Sequence, residues 1–374
     1  MSADLPPQAY ASALASFPHM SIHRLGALLR HHPPDEAYAI AIGEHAPSGL
    51  IERVLVDDDV RAAWQRAGRS ALLHEMWQRC LGLGLRVLLY DDADYPVLLR
   101  NDPLPPPVLF AEGDLSLLGG RRAAIVGTRN ATAAGRDTAT TLGRQLADAD
   151  VHVVSGLARG IDGCAHRGAL QTVGAGRPIA VVACGHDVEY PREHRALWRS
   201  VAERGLLLSE SPPGTSPEAF RFPMRNRVIA ALSEVVIVVE SRHRGGSLIT
   251  VNEAIERGIP LMAVPGGVHN RAASGTNQLI RDGANVVVDV TDVLIALAMD
   301  HRRSPGFVDP RPRPRGVDLV VYESCAGEPR TIDGLALACA LSLVDTAMAV
   351  ARLEHVGWIQ QSDGWFEAVG SPLR

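Results

Sequence analysis

The sequence contains no lysine, because all of its 37 Lys and Arg positions are arginine. An enzyme that forms a Schiff base needs a lysine amine, and the P-loop motif needs a lysine after its glycines. Both classes are therefore excluded. The cations that remain are planar, permanently charged guanidinium groups, whose geometry matches that of phosphate.

Cysteine is scarce as well. Neither a Cys-x-x-Cys pair nor a histidine cluster at metal-ligand spacing occurs, and neither His166 nor His269 has such partners, so we predict no metal and no other cofactor. No run approaches 18 apolar residues, and the N-terminus lacks a signal-peptide pattern. Scattered free thiols suit a reducing compartment, so we expect a cytoplasmic protein away from membranes. The five cysteines are Cys80, Cys164, Cys184, Cys325 and Cys339.

The chain also lacks an excess of positive charge. Its formal net charge of −5 argues against a uniformly basic nucleic-acid-binding surface, although a local basic pocket remains compatible with it. A hydrophobic content of 46% and a charged content of 21% are typical of a globular protein. The length of 374 residues is enough for one to three domains with a sizeable core.

Composition divides the chain into four segments: 1–85, 86–300, 301–316 and 317–374. Helix-spaced apolar positions at 10–16, 22–30, 35–42, 51–56 and 61–80 predict a small helical domain. It is either a SAM or helix-hairpin-helix-like module or a packing domain. Alternating proline and arginine predict an extended linker in the third segment.

The fourth segment predicts three helices and a hairpin, an order that resembles a winged helix. Ser342 is a candidate N-cap for one of these helices. The helix from Ser342 to His355 carries only Arg352 as a firm positive charge, which favours a partner-binding role over DNA reading.

In the second segment, short apolar runs alternate with helix-spaced segments. Near-continuous Val, Ile, Leu and Ala are typical of parallel strands buried on both faces. The pattern predicts a Rossmann-like, doubly wound α/β sheet, whose ligands bind beyond the carboxyl ends of the strands. The predicted strands are 123–127, 151–155, 179–184, 206–209, 235–240, 261–264 and 286–288.

Glycine turns follow the first two of these strands. The first reads Gly127-Thr128-Arg129, and the second reads Ser155-Gly156 followed by Arg159-Gly160. Glycine permits close backbone approach, and a helix that begins after such a turn presents N–H groups to an anion. We expect the two turns to form one phosphate-binding rim. A dinucleotide is disfavoured, because there is no G-x-G-x-x-G and no acidic residue ends the second strand.

A longer series of motifs runs in order from Arg121 to Asp300. It comprises Gly127-Thr128-Arg129, Ser155 to Asp162, Ala165-His166, Tyr190-Pro191, Ser209-Glu210, Phe222-Pro223, Arg225-Asn226-Arg227, Gly246 to Thr250, Val264-Pro265-Gly266, Leu279-Ile280 and Gly283-Ala284. Together these motifs resemble the DNA-processing protein A (DprA, or Smf) family. The resemblance implies a cytoplasmic homodimer that binds single-stranded DNA, protects incoming strands in natural transformation and helps load a RecA-type recombinase onto them. It implies no catalytic turnover.

We therefore expect a nucleic-acid site at the motif residues. Arg129 and Arg159 would contact phosphate, joined by one or both of Arg225 and Arg227; alternatively, some of these arginines form structural ion pairs. Phe222 either stacks on a base or belongs to the core. Hydroxyl donors complete the set. The predicted residues are Gly127, Thr128, Arg129, Ser155, Gly156, Arg159, Gly160, Phe222, Arg225, Asn226, Arg227, Ser247 and Thr250.

Two further expectations concern an enzyme alternative and assembly. Gly245-Gly246-Ser247 with Thr250 and Glu253 comes near the loop of the lysine-decarboxylase-like (LOG) group, which cleaves nucleoside monophosphates, although the loop here is one residue longer. A LOG-like hydrolase or a nucleotide-sensing scaffold is thus the alternative function. Leu279 and Ile280 are candidates for the dimer interface, or equally for the core.

Overall fold

The computed structural model describes residues 5–47, 51, 58–68, 72–299, 311–362 and 364–369. The chain divides into two compact units, Met1–Pro305 and Gly306–Arg374. The first unit contains both the N-terminal helices and the large sheet, and the second contains the C-terminal segment. Most of the predicted linker, residues 301–310, lies outside the described residues.

Short helices form the start of the first unit, as the apolar spacing predicts. Ser21 caps the second helix by accepting a hydrogen bond from the Arg24 N–H at 3.2 Å. Their apolar faces enclose Trp64, whose Nε1 donates to the Pro18 carbonyl at 2.7 Å. Apart from Ile51, the predicted segment 51–56 lies outside the described residues. The helices are α1 Pro7–Ala15, α2 Ile22–His31, α3 Pro34–Ile42, α4 Asp58–Gly68 and α5 Leu72–Gly82.

A nine-stranded sheet forms the centre of the first unit, in the order β1-β2-β6-β5-β4-β3-β7-β8-β9. The strands from β6 to β9 in this order are parallel, while β1 and β2 add an antiparallel edge. This arrangement confirms the predicted α/β class. The strands are β1 Arg86–Leu89, β2 Val108–Gly113, β3 Arg121–Val126, β4 Val151–Ser155, β5 Pro178–Val182, β6 Leu206–Ser209, β7 Val235–Val238, β8 Leu261–Ala263 and β9 Asn285–Val286.

Helices cover both faces of this sheet. Because side chains alternate along a strand, Ala124 and Val126 of β3 join one buried cluster, and Ala123 and Ile125 join the other. The helices are α6 Val97–Arg100, α7 Ala133–Asp148, α8 Ile161–Leu170, α9 Arg195–Arg204, α10 Arg221–Ala231, α11 Ser247–Glu256, α12 Ser274–Arg281 and α13 Val290–Ala296, with 3₁₀ turns at Leu115–Gly119, Arg192–His194 and Arg271–Ala273.

In its described residues, the second unit contains three helices and a small antiparallel sheet in the order β10-β12-β11. Ser342 caps the last helix, as predicted, by accepting from the Asp345 N–H at 3.1 Å. Arg352 pairs with Asp318, so its charge is matched. The winged-helix interpretation stays a prediction. The elements are α14 Val317–Gly327, α15 Ile332–Ala338, α16 Leu343–Val356, β10 Arg330–Thr331, β11 Ile359–Ser362 and β12 Trp365–Ala368.

The described helices include one weak candidate for a membrane span, a bent pair of helices. Over the described ranges, no single helix has the length and apolarity to cross a bilayer. The pair α15 and α16 meets that test only when taken together, across a bend of 111°.

Candidate nucleic-acid interface

The two predicted glycine turns touch each other at the carboxyl ends of β3 and β4. The Ile161 N–H donates to the Thr128 carbonyl at 3.3 Å. Gly160 has a φ of +72°, and a Cβ there would lie 2.3 Å from the Thr128 carbonyl oxygen. A Cβ on Gly127 would lie 2.5 Å from Cγ1 of Ile161. Glycine is therefore required at both positions for the turns to meet.

Beyond these turns lies a depression that we call the central cleft. It consists of two adjoining cavities of about 720 and 360 Å³. The residues shared by both cavities are Arg129, Asn130, Ala158, Tyr190, Phe222 and Arg225. The predicted residues that line one or both cavities are Gly127, Thr128, Arg129, Gly156, Arg159, Phe222, Arg225, Asn226, Ser247 and Thr250.

A stack of flat side chains lies in the middle of the central cleft. The guanidinium carbon of Arg129 lies 4.7 Å from the centre of the Phe222 ring. The Tyr190 ring lies on Phe222 with 5.6 Å between centroids and an angle of 47°. Arg129 is exposed, and it forms no ion pair with any residue that the structure describes. Its planar cation is thus held by an aromatic face and remains open to an anion or a base.

Arg225 lies beneath this stack and is only 6% exposed. Its Nη1 donates to the Gly156 carbonyl at 2.7 Å and also to the Val181 carbonyl. Burial lowers the pKa of Arg225 to about 10, opposed by the neighbouring carboxylate of Asp162. Burial raises the pKa of Asp162, opposed by Arg225. Arg225 therefore ties β5 to the turn after β4, and its cation faces a buried acid.

The N-terminal turns of α7 and α8 differ from the expectation that they present N–H groups to an anion. Thr132 caps α7 by accepting from the Gly135 N–H at 3.0 Å, and the Glu240 carboxylate accepts from the Thr132 N–H at 2.9 Å. Asp162 occupies the first turn of α8 and accepts from the Gly156 N–H at 3.2 Å. At α7 a carboxylate of the protein thus takes the position that an anion would fill, whereas at α8 the Ile161 N–H donates to the Thr128 carbonyl.

The N-termini of α10 and α11 also lie at the cleft, although most N–H groups of their first turns donate to main-chain carbonyls and Pro223 has no N–H. Phe220 and Gly246 are their N-cap residues, and no described side chain caps either helix. Residues of both first turns, including Phe222 and Ser247, line the central cleft. The positive ends of two helix dipoles therefore lie at the cleft.

Three of the predicted residues do not line the central cleft. Ser155 is fully buried, and its Oγ donates to the Ile125 carbonyl at 2.6 Å. Gly160 serves the contact between the turns. Arg227 is 4% exposed and pairs with Glu210 on another side of α10, so it is a structural cation.

Two predicted polar residues at the cleft already have partners. Arg159 lines the smaller cavity and forms an exposed ion pair with Glu193, with Nε and Oε1 2.5 Å apart. Such exposed pairs contribute little to stability. Ser247 donates its hydroxyl to Ser241 Oγ at 2.9 Å, so it offers an acceptor to a ligand more readily than a donor.

Several residues of the central cleft had no assigned role in the sequence prediction. Tyr190 appeared only as part of a motif, and Asn130 and Arg242 were not singled out. Arg242 is exposed and, like Arg129, forms no ion pair within the described ranges. The glycines that follow it at 245 and 246 were the available signal for a loop at the cleft.

The geometry bears on the enzyme alternative through Glu253. Its carboxylate accepts from Arg257 Nη1 at 2.6 Å, and Arg257 also binds Asp102 with 2.5 Å between Nε and Oδ2. Glu253 is absent from the cleft lining, where Asp162 is the acidic residue among those described. Thus the carboxylate that the LOG-like pattern requires is used in a structural ion network. No group of three or more potential metal ligands occurs in the described part of the chain.

The candidate dimer residues lie on α12 and are both half-buried. Leu279 packs against the buried cluster that contains Val236 and Val251. Ile280 is not among the residues that pack on this cluster. The interface assignment stays a prediction, for which Ile280 is the better placed of the two.

Comparison with known proteins identifies a family with the same motifs. The model of the family "DNA recombination-mediator protein A" matches residues 86–298. A DNA processing protein DprA from Bacillus subtilis is 42% identical over 211 residues, which is 56% of this chain and 70% of the relative.

Two solved structures are similar as well. An X-ray structure of DprA from Streptococcus pneumoniae aligns with a TM-score of 0.65 and 30% identity, covering 78% of this chain and 98% of that one. A structure of DNA processing protein A from Helicobacter pylori, described for its single-stranded DNA binding mode, aligns with a TM-score of 0.51 and 30% identity, covering 57% and 95%. The motifs, the sheet and these matches show that the chain belongs to the DprA (Smf) family of DNA-processing proteins.

Proposed function

We propose that the central cleft binds single-stranded DNA without turning it over. The observation that carries this proposal is the stack of the exposed Arg129 on the half-buried Phe222, with the N-termini of α10 and α11 beside it. Aromatic faces accept any base, and arginine adds a cation for the phosphate next to it. The Helicobacter pylori relative, which is described as binding single-stranded DNA, supports the same ligand class.

Duplex DNA fits this site less well. A base can lie on Phe222 only if it is unstacked from its neighbours, which costs energy in a duplex but little in a single strand. The position of Glu253 further supports binding over nucleotide hydrolysis.

The test is fluorescence anisotropy with a labelled oligothymidylate and with duplex DNA over a series of salt concentrations. We expect preference for the single strand, and we expect Arg129→Ala to lower the slope of log affinity against log salt by about 0.7, the value for one phosphate on a single strand. Arg86→Ala is the matched control, because Arg86 is exposed, is paired with Asp94 at 2.9 Å and does not line the cleft. An unchanged slope in Arg129→Ala would refute the assignment.

The finer functions expected from the family resemblance extend this proposal. In this extended proposal, the protein acts as a cytoplasmic homodimer that shields incoming strands in transformation and delivers them to a RecA-type recombinase. Nuclease protection of a bound oligonucleotide tests shielding. Recombinase filament formation on strands covered by the protein tests delivery. If only the second assay fails, the proposed delivery to a recombinase is refuted and the proposed strand binding stands.

A further inference from the structure

A second large cavity adjoins the central cleft on the side of the N-terminal helices. Its volume is about 750 Å³, and the loop between α1 and α2, helix α5 and the start of α10 bound it. We call it the methionine cavity, because Met20, Met76 and Met224 line it. It shares Arg225 and the end of β5 with the central cleft.

The two sites together form a trough along one edge of the sheet. Arg242 follows β7, Arg129 follows β3, Gly156 follows β4 and Ala183 follows β5, and all four line the central cleft. Ser211 follows β6 and lines the methionine cavity. These five strands are consecutive neighbours, so the trough spans four strand spacings, or about 19 Å. That length exceeds what a single nucleotide can occupy.

The start of α10 repeats, in the methionine cavity, the stack found in the central cleft. The guanidinium carbon of Arg221 lies 4.9 Å from the centre of the Phe220 ring, against 4.7 Å for Arg129 and Phe222. Phe220 is 56% exposed and Met224 is 40% exposed. Two arginine–phenylalanine stacks, two residues apart in sequence, thus flank one helix N-terminus.

The walls of the methionine cavity suit a base better than a phosphate. Its arginines already have partners, because Arg221 pairs with Glu218 at 3.1 Å, Arg79 pairs with Asp187, and Arg225 donates to main-chain carbonyls. Thioethers are polarisable and make favourable contacts with aromatic rings. A flat, uncharged group therefore gains the contacts that this cavity offers, whereas a phosphate would meet cations that are already paired.

We propose that the bound strand continues from the central cleft over the first turn of α10, and that one further base enters the methionine cavity and stacks on Phe220. This inference rests on the proposed binding of single-stranded DNA in the central cleft. It adds a second base platform and gives the N-terminal helices a role as one wall of the binding path.

The test measures affinity against oligothymidylate length, from about 3 to about 12 nucleotides, for the full chain. For wild type we expect a gain in affinity once the strand reaches both platforms. Phe220→Ala should lose this gain, about 5- to 150-fold, while leaving the shortest strands unaffected. Phe220→Trp should retain the gain, because it keeps a ring for stacking. Because Phe220 is exposed, neither substitution disturbs the core.

The outcomes separate the two proposals. If Phe220→Ala binds every length as wild type does while Arg129→Ala weakens every length, the second platform is refuted and the central cleft stands. If Phe220→Ala weakens all lengths equally, Phe220 belongs to the first platform and the continuation is wrong. If wild type binds no single strand, the proposed function itself fails.

Discussion

Arg225 and Arg129 line the same cleft, and we predict opposite consequences when each is changed to methionine. Arg225 is buried, donates to two main-chain carbonyls and interacts electrostatically with Asp162, whereas Arg129 is exposed on Phe222. Arg225→Met should therefore destabilise the fold, and Arg129→Met should weaken DNA binding without affecting stability. The two substitutions have the same chemistry, so each serves as the control for the other.

The size of the effect follows from what Arg225 leaves behind. Arg225→Met removes the donor of two buried main-chain carbonyls and the charge that opposes the burial of Asp162. A buried acceptor left without its donor costs about 1–3 kcal/mol, and a charged group costs more. A globular domain has only about 5–15 kcal/mol of unfolding free energy, so Arg225→Met should lose a large share of it. Arg129→Met should change the unfolding free energy by no more than about 0.5 kcal/mol, as is usual for an exposed side chain.

The pH dependence gives a second check on Arg225→Met. Burial already raises the pKa of Asp162, and loss of the opposing guanidinium should raise it further. When the pKa of a carboxyl is higher in the folded state than its unfolded value of about 3.9, the fold loses stability as the pH rises from the unfolded to the folded pKa. The defect of Arg225→Met should therefore be largest at neutral pH and shrink towards pH 4.

Urea unfolding followed by tryptophan fluorescence measures these differences. Adding Asp162→Asn to Arg225→Met should recover part of the lost stability, because the amide oxygen still accepts from the Gly156 N–H without a buried charge. Equal midpoints for wild type and Arg225→Met, or no recovery in the double variant, would show that Arg225 is not the structural cation that its contacts indicate.

Four further expectations are specific to single residues. Gly160→Ala should lower the unfolding free energy by at least about 2 kcal/mol in urea titrations, because φ is +72° and the new Cβ meets the Thr128 carbonyl; Gly246→Ala, with open space, should be neutral. Phe222→Ala should weaken oligothymidylate binding by about 1–3 kcal/mol in anisotropy titrations. Burial lowers the pKa of His166 to about 3, so between pH 7 and pH 5 this histidine takes up a proton in the unfolded chain but not in the folded one. The unfolding free energy should therefore fall by about 2 kcal/mol over that interval, and His166→Gln should remove this loss. Ile280→Asp should yield monomers in light scattering, and a persistent dimer would exclude that face.

The contact between the two glycine turns could be predicted because it follows from local rules. Apolar runs identify buried parallel strands, and such strands place their carboxyl ends at one edge of the sheet. The turns after β3 and β4 then become neighbours. What the pattern could not predict is that carboxylates distant in sequence, such as Glu240 beneath Thr132, occupy a helix N-terminus.

The two arginines of α10 show where helix geometry would have refined the prediction. Residues two apart lie on nearly opposite sides of a helix, so Arg225 and Arg227 cannot face one cavity. Phe222, Asn226 and Ile229 follow helical spacing and line the cleft together with Arg225, while Arg227 faces Glu210. From residue type alone, both arginines were equal candidates for the phosphate site. They are distinguished once α10 is known to include both, because a helix places them on different sides.

The pairing of arginines also limits how a chain of net charge −5 would hold a polyanion in the proposed complex. Arg159, Arg227 and Arg257 are matched by carboxylates, whereas Arg129 and Arg242 form no ion pair in the described ranges. Few phosphates can then be neutralised, and long-range attraction is weak. In the proposed complex, affinity would come from stacking, which acts at contact distance, and from the few unpaired arginines, whose phosphate contacts weaken as the salt concentration rises. We therefore expect such a site to prefer strands whose bases are already exposed, because only those reach the rings without the cost of opening a duplex.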